Sequence, residues 1–202
     1  LSFLLTTFSF ISNGTASEKL ASIVMHASSS KVLHSSNAHQ RLHPAGLTKL
    51  MTLYVALEAI KNKEISADTI VTVSRKAASE PPSRMGLRNG QKVKFKDLII
   101  GIALMDANDA ATAIAEGISG TEGAFANRMN LMAKSLGMVD TTFKNAHGLT
   151  EEGHLSTALD MAILGRRLIL DFPNQFKLLS ERYRSTSSND FRRKILNQNI
   201  RI

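Results

Sequence analysis

A loop of small residues leads directly into a helix at Pro44-Ala45-Gly46-Leu47-Thr48-Lys49-Leu50-Met51-Thr52. Beyond the loop, apolar side chains recur at the three- and four-residue spacing of a helix with one buried face, at Leu47, Leu50, Met51, Tyr54 and Val55. Glu58 interrupts this row at its next position. We therefore predict a largely buried helix that begins near residue 46 and whose far end reaches solvent.

Segments typical of strands and of helices surround this helix without regular alternation. Strands are predicted over residues 21–27 and 31–34 as an opening hairpin, over 69–74, and within a hairpin-like stretch at 87–95. Helices are predicted over 97–105 and 109–117, from an N-cap at Thr121 to residue 136, and from a cap at Ser156 or Thr157 to about residue 170. This order favours an α+β fold with a helical insertion over a doubly wound parallel sheet.

Composition excludes several kinds of chemistry. The 202 residues contain no Cys, so disulfides, thiolate metal sites and thiol nucleophiles are ruled out. No pair among the six histidines has the spacing of a helical zinc site, and no phosphate-binding glycine loop is present, so we predict no metal and no cofactor. The net charge of +8 is compatible with nucleic acid, an anionic membrane surface or an acidic polymer.

The first sixteen residues resemble the end of a secretory signal peptide. Residues 1–11 are uncharged and mostly apolar, and Gly14 and Ala16 are small residues at the positions that precede a cleavage site. The run is too short to span a bilayer, and a buried N-terminal strand or helix is the alternative. We predict that residues 1–16 are a signal remnant, that residues 17–202 form the domain, and that the chain is exported to the periplasm or cell envelope of a bacterium.

Five segments, in order and at family spacing, carry a resemblance to a known family. They are Ile23 to Leu33, Pro44 to Thr52, Ser83-Arg84-Met85-Gly86-Leu87, Leu104 to Ala110, and Asn145-Ala146-His147-Gly148-Leu149 with Gly153 to Ala162. The chain resembles the serine-type D-alanyl-D-alanine carboxypeptidases, the low-molecular-mass penicillin-binding proteins. That resemblance implies a β-lactamase/transpeptidase-like fold, an antiparallel sheet flanked by helices with a helical subdomain, whose C-terminal strands are missing here. The H-G-L and S-T-A-x-D-M-A segments favour the carboxypeptidases over the serine β-lactamases.

The resemblance also assigns the site residues. In the family, a Ser three residues before a Lys attacks the substrate carbonyl, and the Lys takes the proton of the Ser hydroxyl. Here Gly46 occupies the nucleophile position and Lys49 the general-base position. Asp106 replaces the Ser of the second motif, Asn108 is retained for proton transfer and for holding the substrate amide, and no Lys-Thr-Gly occurs in the sequence.

Two hypotheses follow from the substituted positions. Thr48 cannot replace the nucleophile, because it points roughly 200° around the helix from residue 46. Asp106 is expected to approach Lys49 and to form an ion pair with it. The ion pair would keep the Lys49 amine charged, so we expect the pKa of Lys49 not to lie below the free value. The alternative is that Asp106 faces solvent as the N-cap of the next helix.

We therefore expect an inactive homologue or fragment of an enzyme that removes the terminal D-Ala from peptidoglycan pentapeptides. A non-catalytic module that binds peptidoglycan is the alternative. The expected partners, by resemblance, are the peptidoglycan stem peptide and β-lactams, and peripheral membrane association is left open. Nucleic acid is not expected, since the basic triplet Arg192-Arg193-Lys194 is typical of a solvated face. Missing strands would leave a strand edge and apolar faces uncovered, which predicts poor soluble expression.

Overall fold

Helices and short strands make up the part of the chain that the computed structural model describes, residues 20–177, 183–185 and 194–196. The strands are Ser22–Met25 (β1), Val32–Ser36 (β2), Ile70–Thr72 (β3), Lys92–Lys94 (β4), Tyr183–Ser185 (β5) and Lys194–Leu196 (β6). The helices are Thr48–Lys61 (α1), Arg75–Ser79 (α2), Phe95–Met105 (α3), Asn108–Ser119 (α4), Glu122–Leu136 (α5), Ala158–Asp171 (α6) and Pro173–Phe176 (α7), and a 3-10 turn at Ala45–Leu47 precedes α1. The predicted signal remnant at 1–16 and the residues Arg192 and Arg193 lie outside the described residues.

All described strands pair antiparallel and two by two: β1 with β2, β3 with β4, and β5 with β6. The predicted opening hairpin is therefore confirmed. The prediction of a hairpin within residues 87–95 is wrong, because only β4 forms there and it pairs with β3, twenty residues earlier in the chain. Antiparallel strand pairs combined with helices that hold more residues than the strands confirm the α+β class.

Helix α1 forms the centre of the core. Its residues Met51, Val55, Ala56 and Ala59 are completely buried, and the helix packs against α3, α4, α5 and α6. The helix ends at Lys61, whose side chain is exposed. The predicted central helix, with its far end in solvent, is confirmed, and its start is displaced only by the 3-10 turn.

Helix α4 packs closely because its buried face consists of small side chains. Ala110, Ala111, Ala113 and Ala115 are buried, which lets α2, α3 and α5 approach this helix. At its first turn, the buried carboxylate of Asp109 accepts hydrogen bonds from three successive backbone amides at residues 85–87, each at 2.9 Å. These bonds tie the loop before β4 to the start of α4.

Two predicted N-caps are observed. The Thr121 hydroxyl accepts a hydrogen bond from the Ala124 amide at 3.1 Å, at the start of α5. Of the two candidates for the α6 cap, Thr157 is the cap, since its hydroxyl accepts a hydrogen bond from the Asp160 amide at 3.1 Å. Side chains that satisfy the free amides of a first turn fix where a helix starts.

The β1–β2 hairpin contacts α6 through β1 but leaves large apolar side chains exposed. Val24, Val32 and Leu33 on this hairpin are all exposed large apolar side chains.

Among the described residues, we find no helix with the length and apolar character needed to cross a lipid bilayer.

The loop at residues 145–149 packs directly beneath the 3-10 turn that precedes α1. Gly148 has φ +86°, and a Cβ atom there would overlap the carbonyl oxygen of Ala45 and lie 2.8 Å from the Thr48 hydroxyl oxygen. Backbone conformation and close approach both require glycine at this position. The loop thereby fixes the position of the 3-10 turn and of the first residue of α1.

We expect Gly148→Ala to lower the free energy of unfolding by about 2 kcal/mol, because the new methyl group forces the loop away from the 3-10 turn. Thermal or urea unfolding followed by circular dichroism measures the change. Gly123→Ala is the matched control: it lies within α5 with no atom near the added methyl, and we expect stabilisation of up to about 1 kcal/mol. Equal effects of the two substitutions would contradict this account of the loop.

Candidate active site

The candidate site lies where the start of α1 meets the turn between α3 and α4. Gly46 and Lys49 come from the 3-10 turn and the first turn of α1, and Asp106 comes from the α3–α4 turn. These three predicted site residues line one cavity of about 520 Å³. The structure therefore brings together residues that are 60 positions apart in the sequence.

Lys49 and Asp106 form an ion pair. The Lys49 ammonium nitrogen lies 3.1 Å from Asp106 Oδ1, with 5% of the Lys49 side chain and 40% of the Asp106 side chain exposed. The predicted approach of these residues is confirmed. The N-cap alternative is wrong, because Asp106 ends α3 in a left-handed conformation, with φ 52° and ψ 38°, and Ala107 is the residue that precedes α4.

The charge on Lys49 differs from the expectation. Burial lowers the pKa of the Lys49 amine, and the attraction and hydrogen bond of Asp106 raise it by less, so the pKa lies below its usual 10.5. The expectation that the ion pair keeps this pKa at its free value or above is therefore wrong. Removal of the ammonium group from water lowers its pKa by more than the attraction of one partly exposed carboxylate raises it.

Gly46 faces the same carboxylate. A Cβ atom at residue 46 would lie 2.9 Å from Asp106 Oδ2 and 3.4 Å from Oδ1. Van der Waals contact between carbon and oxygen needs more room than the shorter of these distances, so the Asp106 carboxylate occupies space that a side chain at residue 46 would need. Gly46 at the nucleophile position and Asp106 at the second-motif Ser position, the two departures from the family pattern, therefore lie next to each other.

Asn108 is placed differently from the other three predicted residues. It is buried at the start of α4, and its side-chain nitrogen donates hydrogen bonds to the carbonyl oxygens of Pro81 at 2.9 Å and Pro82 at 3.3 Å. It does not appear among the residues that line the cavity. Its amide nitrogen holds the 81–83 loop, and contact with a substrate stays a prediction.

Thr48 is directed away from the cavity. Its hydroxyl oxygen lies 2.9 Å from His154 Nε2, and His154 Nδ1 accepts a hydrogen bond from the Lys144 amide at 3.2 Å. Nε2 of His154 therefore carries the proton and donates it to Thr48. This contact agrees with the exclusion of Thr48 as a nucleophile and connects α1 to the segment at residue 154.

Burial determines the protonation of His154. The side chain is 1% exposed, and burial lowers its pKa to about 4, although the nearby Glu151 opposes this shift. A neutral imidazole is also what the hydrogen bond from the Lys144 amide to Nδ1 requires, because a protonated Nδ1 could not accept it. The sequence motif around residue 154 marked this position, but only the fold shows its partner on α1.

A second buried cluster was not predicted. Glu80, Glu122 and His147 bring their side-chain oxygen and nitrogen atoms within 4.8 Å of one another. His147 Nε2 lies 3.1 Å from Glu122 Oε1, and Lys76 pairs with the other oxygen of Glu122. Burial raises the pKa of Glu122, but the hydrogen bonds from His147, Lys76 and the Ala146 amide together lower it to about 2.

The donor set of this cluster fits a hydrogen-bond network rather than a cation site. His147 Nδ1 accepts a hydrogen bond from the Leu149 amide at 3.1 Å, so the ring proton is on Nε2, which donates to Glu122. A metal at Nε2 would need the lone pair that this proton occupies. These residues are separated by up to 67 positions, so no short-range spacing could have indicated the cluster.

Comparison with known proteins agrees with the predicted class. A profile of the D-alanyl-D-alanine carboxypeptidase family matches residues 12–201. The D-alanyl-D-alanine carboxypeptidase DacF of Bacillus subtilis is 42% identical over 154 residues, which are 76% of this chain and 40% of that protein. The chain thus spans about two fifths of the length of this curated relative.

Solved structures give the same result. The D-alanyl-D-alanine carboxypeptidase DacD from Francisella tularensis is 37% identical, with a TM-score of 0.79 over 81% of this chain and 40% of that chain. Penicillin-Binding Protein D2 from Listeria monocytogenes, in its ampicillin-bound form, is 30% identical, with a TM-score of 0.73 over 89% of this chain and 71% of that chain. The chain belongs to the D-alanyl-D-alanine carboxypeptidase family.

We expect Gly46→Ser to destabilise the chain more in the parent than in an Asp106→Ser background, because the added Cβ meets the Asp106 carboxylate only in the parent. A double-mutant cycle of unfolding free energies should give a coupling of about 1 kcal/mol. The Asp106→Ser substitution also breaks the ion pair with Lys49, but the free-energy cost of that loss cancels from the coupling energy. A coupling of zero would show that the two residues do not compete for space.

We expect stability to fall as the pH decreases from about 6.5 to about 4, because the unfolded His154 binds a proton in that range and the folded residue does not. The loss is on the order of 3 kcal/mol at the low end of the range. Unfolding midpoints measured across this range provide the test. His154→Gln keeps a donor and an acceptor but does not titrate, and an unchanged pH dependence in this variant would contradict the assignment.

Proposed function

We propose that this chain carries the cleft of the D-alanyl-D-alanine carboxypeptidases without their acyl-transfer chemistry. The observation that carries this proposal is the lack of a side chain at the nucleophile position, Gly46, with the Asp106 carboxylate beside it. The nucleophile position has no side chain, and a carboxylate lies 2.9 Å from where the first side-chain atom would be. The class of substrate, peptidoglycan peptides that end in D-Ala-D-Ala, comes from the relatives' activity.

The size of the catalytic loss favours an inactive chain over a weak enzyme. Removal of the nucleophile from a serine hydrolase costs on the order of 10⁶ in turnover. Here Asp106 also replaces the second-motif Ser, so the chain departs from the family pattern at two positions of the cleft. Thr48 does not restore an oxygen nucleophile, since its hydroxyl group is hydrogen-bonded to His154 and lies outside the cavity lining.

The same evidence bears on the alternative of a peptidoglycan-binding module. Asn108 and the net charge of +8 favour this alternative in the sequence, but the Asn108 amide nitrogen already donates to the carbonyl groups of Pro81 and Pro82. A pull-down on purified cell wall tests this alternative directly, and we expect no retention above that of a control protein with the same net charge.

Export to the bacterial cell envelope is part of the proposal. The apolar run at residues 1–11 with small residues at 14 and 16 supports it, as does membership of a family of cell-wall carboxypeptidases. Peripheral association with an anionic membrane is a further proposal, supported by the net charge of +8.

Incubation with ampicillin should leave the mass of the chain unchanged, because the cavity presents no hydroxyl group that could form an acyl ester. Intact-protein mass spectrometry is the measurement. Penicillin-Binding Protein D2 from Listeria monocytogenes serves as the positive control, since it is known in an ampicillin-bound form. A stoichiometric adduct that maps to the peptide around residue 46 and is released by hydroxylamine would overturn the proposal.

A further inference from the structure

The cavity beside Gly46 contains one amine. Apart from Lys49 and Asp106, its lining is Gly46 and apolar side chains: Pro44, Ala45, Leu47, Leu50, Leu53 and Ile102. Because residue 46 has no side chain, no hydroxyl group lies between the Lys49 amine and the space of the cavity. Lys49 is thus the nucleophilic side chain that the described lining offers.

The surroundings of Lys49 favour reaction of its amine. The side chain is 5% exposed and its pKa is lowered, because burial outweighs the opposing effect of Asp106. A lysine in an apolar pocket has a larger fraction of free amine at neutral pH than a solvated lysine, and free amine is the nucleophile. Asp106 Oδ1, 3.1 Å away and partly open to water, can accept the proton that the ammonium group gives up.

We propose that Lys49 forms an imine with small apolar aldehydes or ketones that enter this cavity. The Lys49 ammonium group transfers a proton to Asp106, and the free amine attacks the carbonyl carbon to form a carbinolamine. Asp106 returns the proton to the departing oxygen, the carbon–oxygen bond breaks, and one water leaves. The net change converts an ammonium group and a carbonyl compound into a protonated imine and water, so atoms and charge balance.

The apolar lining determines which carbonyl compounds fit. Leu47, Leu50, Leu53 and Ile102 exclude strongly hydrated groups, and about 520 Å³ accommodates a molecule of the size of benzaldehyde. The inference is independent of the proposed function, because it needs neither a peptide substrate nor an acyl-enzyme. Its test therefore uses an aldehyde and no β-lactam.

The test is reductive trapping of the parent chain with benzaldehyde and sodium cyanoborohydride. The imine becomes a stable secondary amine, and peptide mass spectrometry locates the added benzyl group. We expect Lys49 to be modified faster than the exposed Lys63 and Lys92, because burial lowers its pKa and leaves more of the amine unprotonated, and because the cavity holds the aldehyde beside it. Modification spread over exposed lysines with Lys49 unmodified, or no modification at all, would overturn the proposal.

A variant at the cavity mouth separates entry into the cavity from general reactivity. Leu47 lines the cavity and is 53% exposed, so Leu47→Trp can crowd the entrance without disturbing the core. We expect this variant to lose the preference for Lys49 while Lys63 and Lys92 react as in the parent. A Lys49 rate unchanged in Leu47→Trp would show that the aldehyde does not reach the amine through the cavity.

Discussion

A buried ammonium group needs a counter-charge. In this chain the buried ammonium group is that of Lys49, at the first turn of α1. An unpaired charge removed from water costs several kcal/mol, and Asp106 is the carboxylate that the fold brings to 3.1 Å. Asp106 needs more room than the serine of the family pattern, and Gly46 provides that room. The substitutions at residues 46 and 106 therefore meet in space: the carboxylate that pairs with Lys49 lies close to where the first side-chain atom of a nucleophile would be.

The fold was largely predictable because its signals are local. The apolar spacing of α1, the caps at Thr121 and Thr157 and the β1–β2 hairpin all depend on residues within one turn or one strand of each other. The stretch at residues 87–95 was misassigned for the opposite reason. Its strand β4 completes its hydrogen bonds with β3, and short-range alternation does not reveal a partner so far back in the chain.

Three of the four predicted site residues meet at the candidate site, and its chemistry was less predictable than its members. Resemblance indicated Gly46, Lys49, Asp106 and Asn108, and the fold places the first three around one cavity. The direction of the Lys49 pKa depends on how completely the fold removes water from the amine, which sequence spacing does not report. The Glu80–Glu122–His147 cluster and the use of Asn108 by the 81–83 loop likewise depend on distant segments.

The interactions that position the start of α1 are separate from the group that the family uses for catalysis. Gly148 packs against the Ala45 carbonyl, His154 donates to Thr48, and the Thr52 hydroxyl donates to the Ala146 carbonyl at 2.6 Å. None of these contacts involves a side chain at residue 46. Loss of the nucleophile consequently removes no support from the helix, and the Lys49 amine remains fixed in its cavity with a carboxylate as its only charged neighbour in the described lining. A scaffold built in this way can lose acyl transfer while it retains the buried Lys49 amine, and this amine is the group to which we assign imine formation.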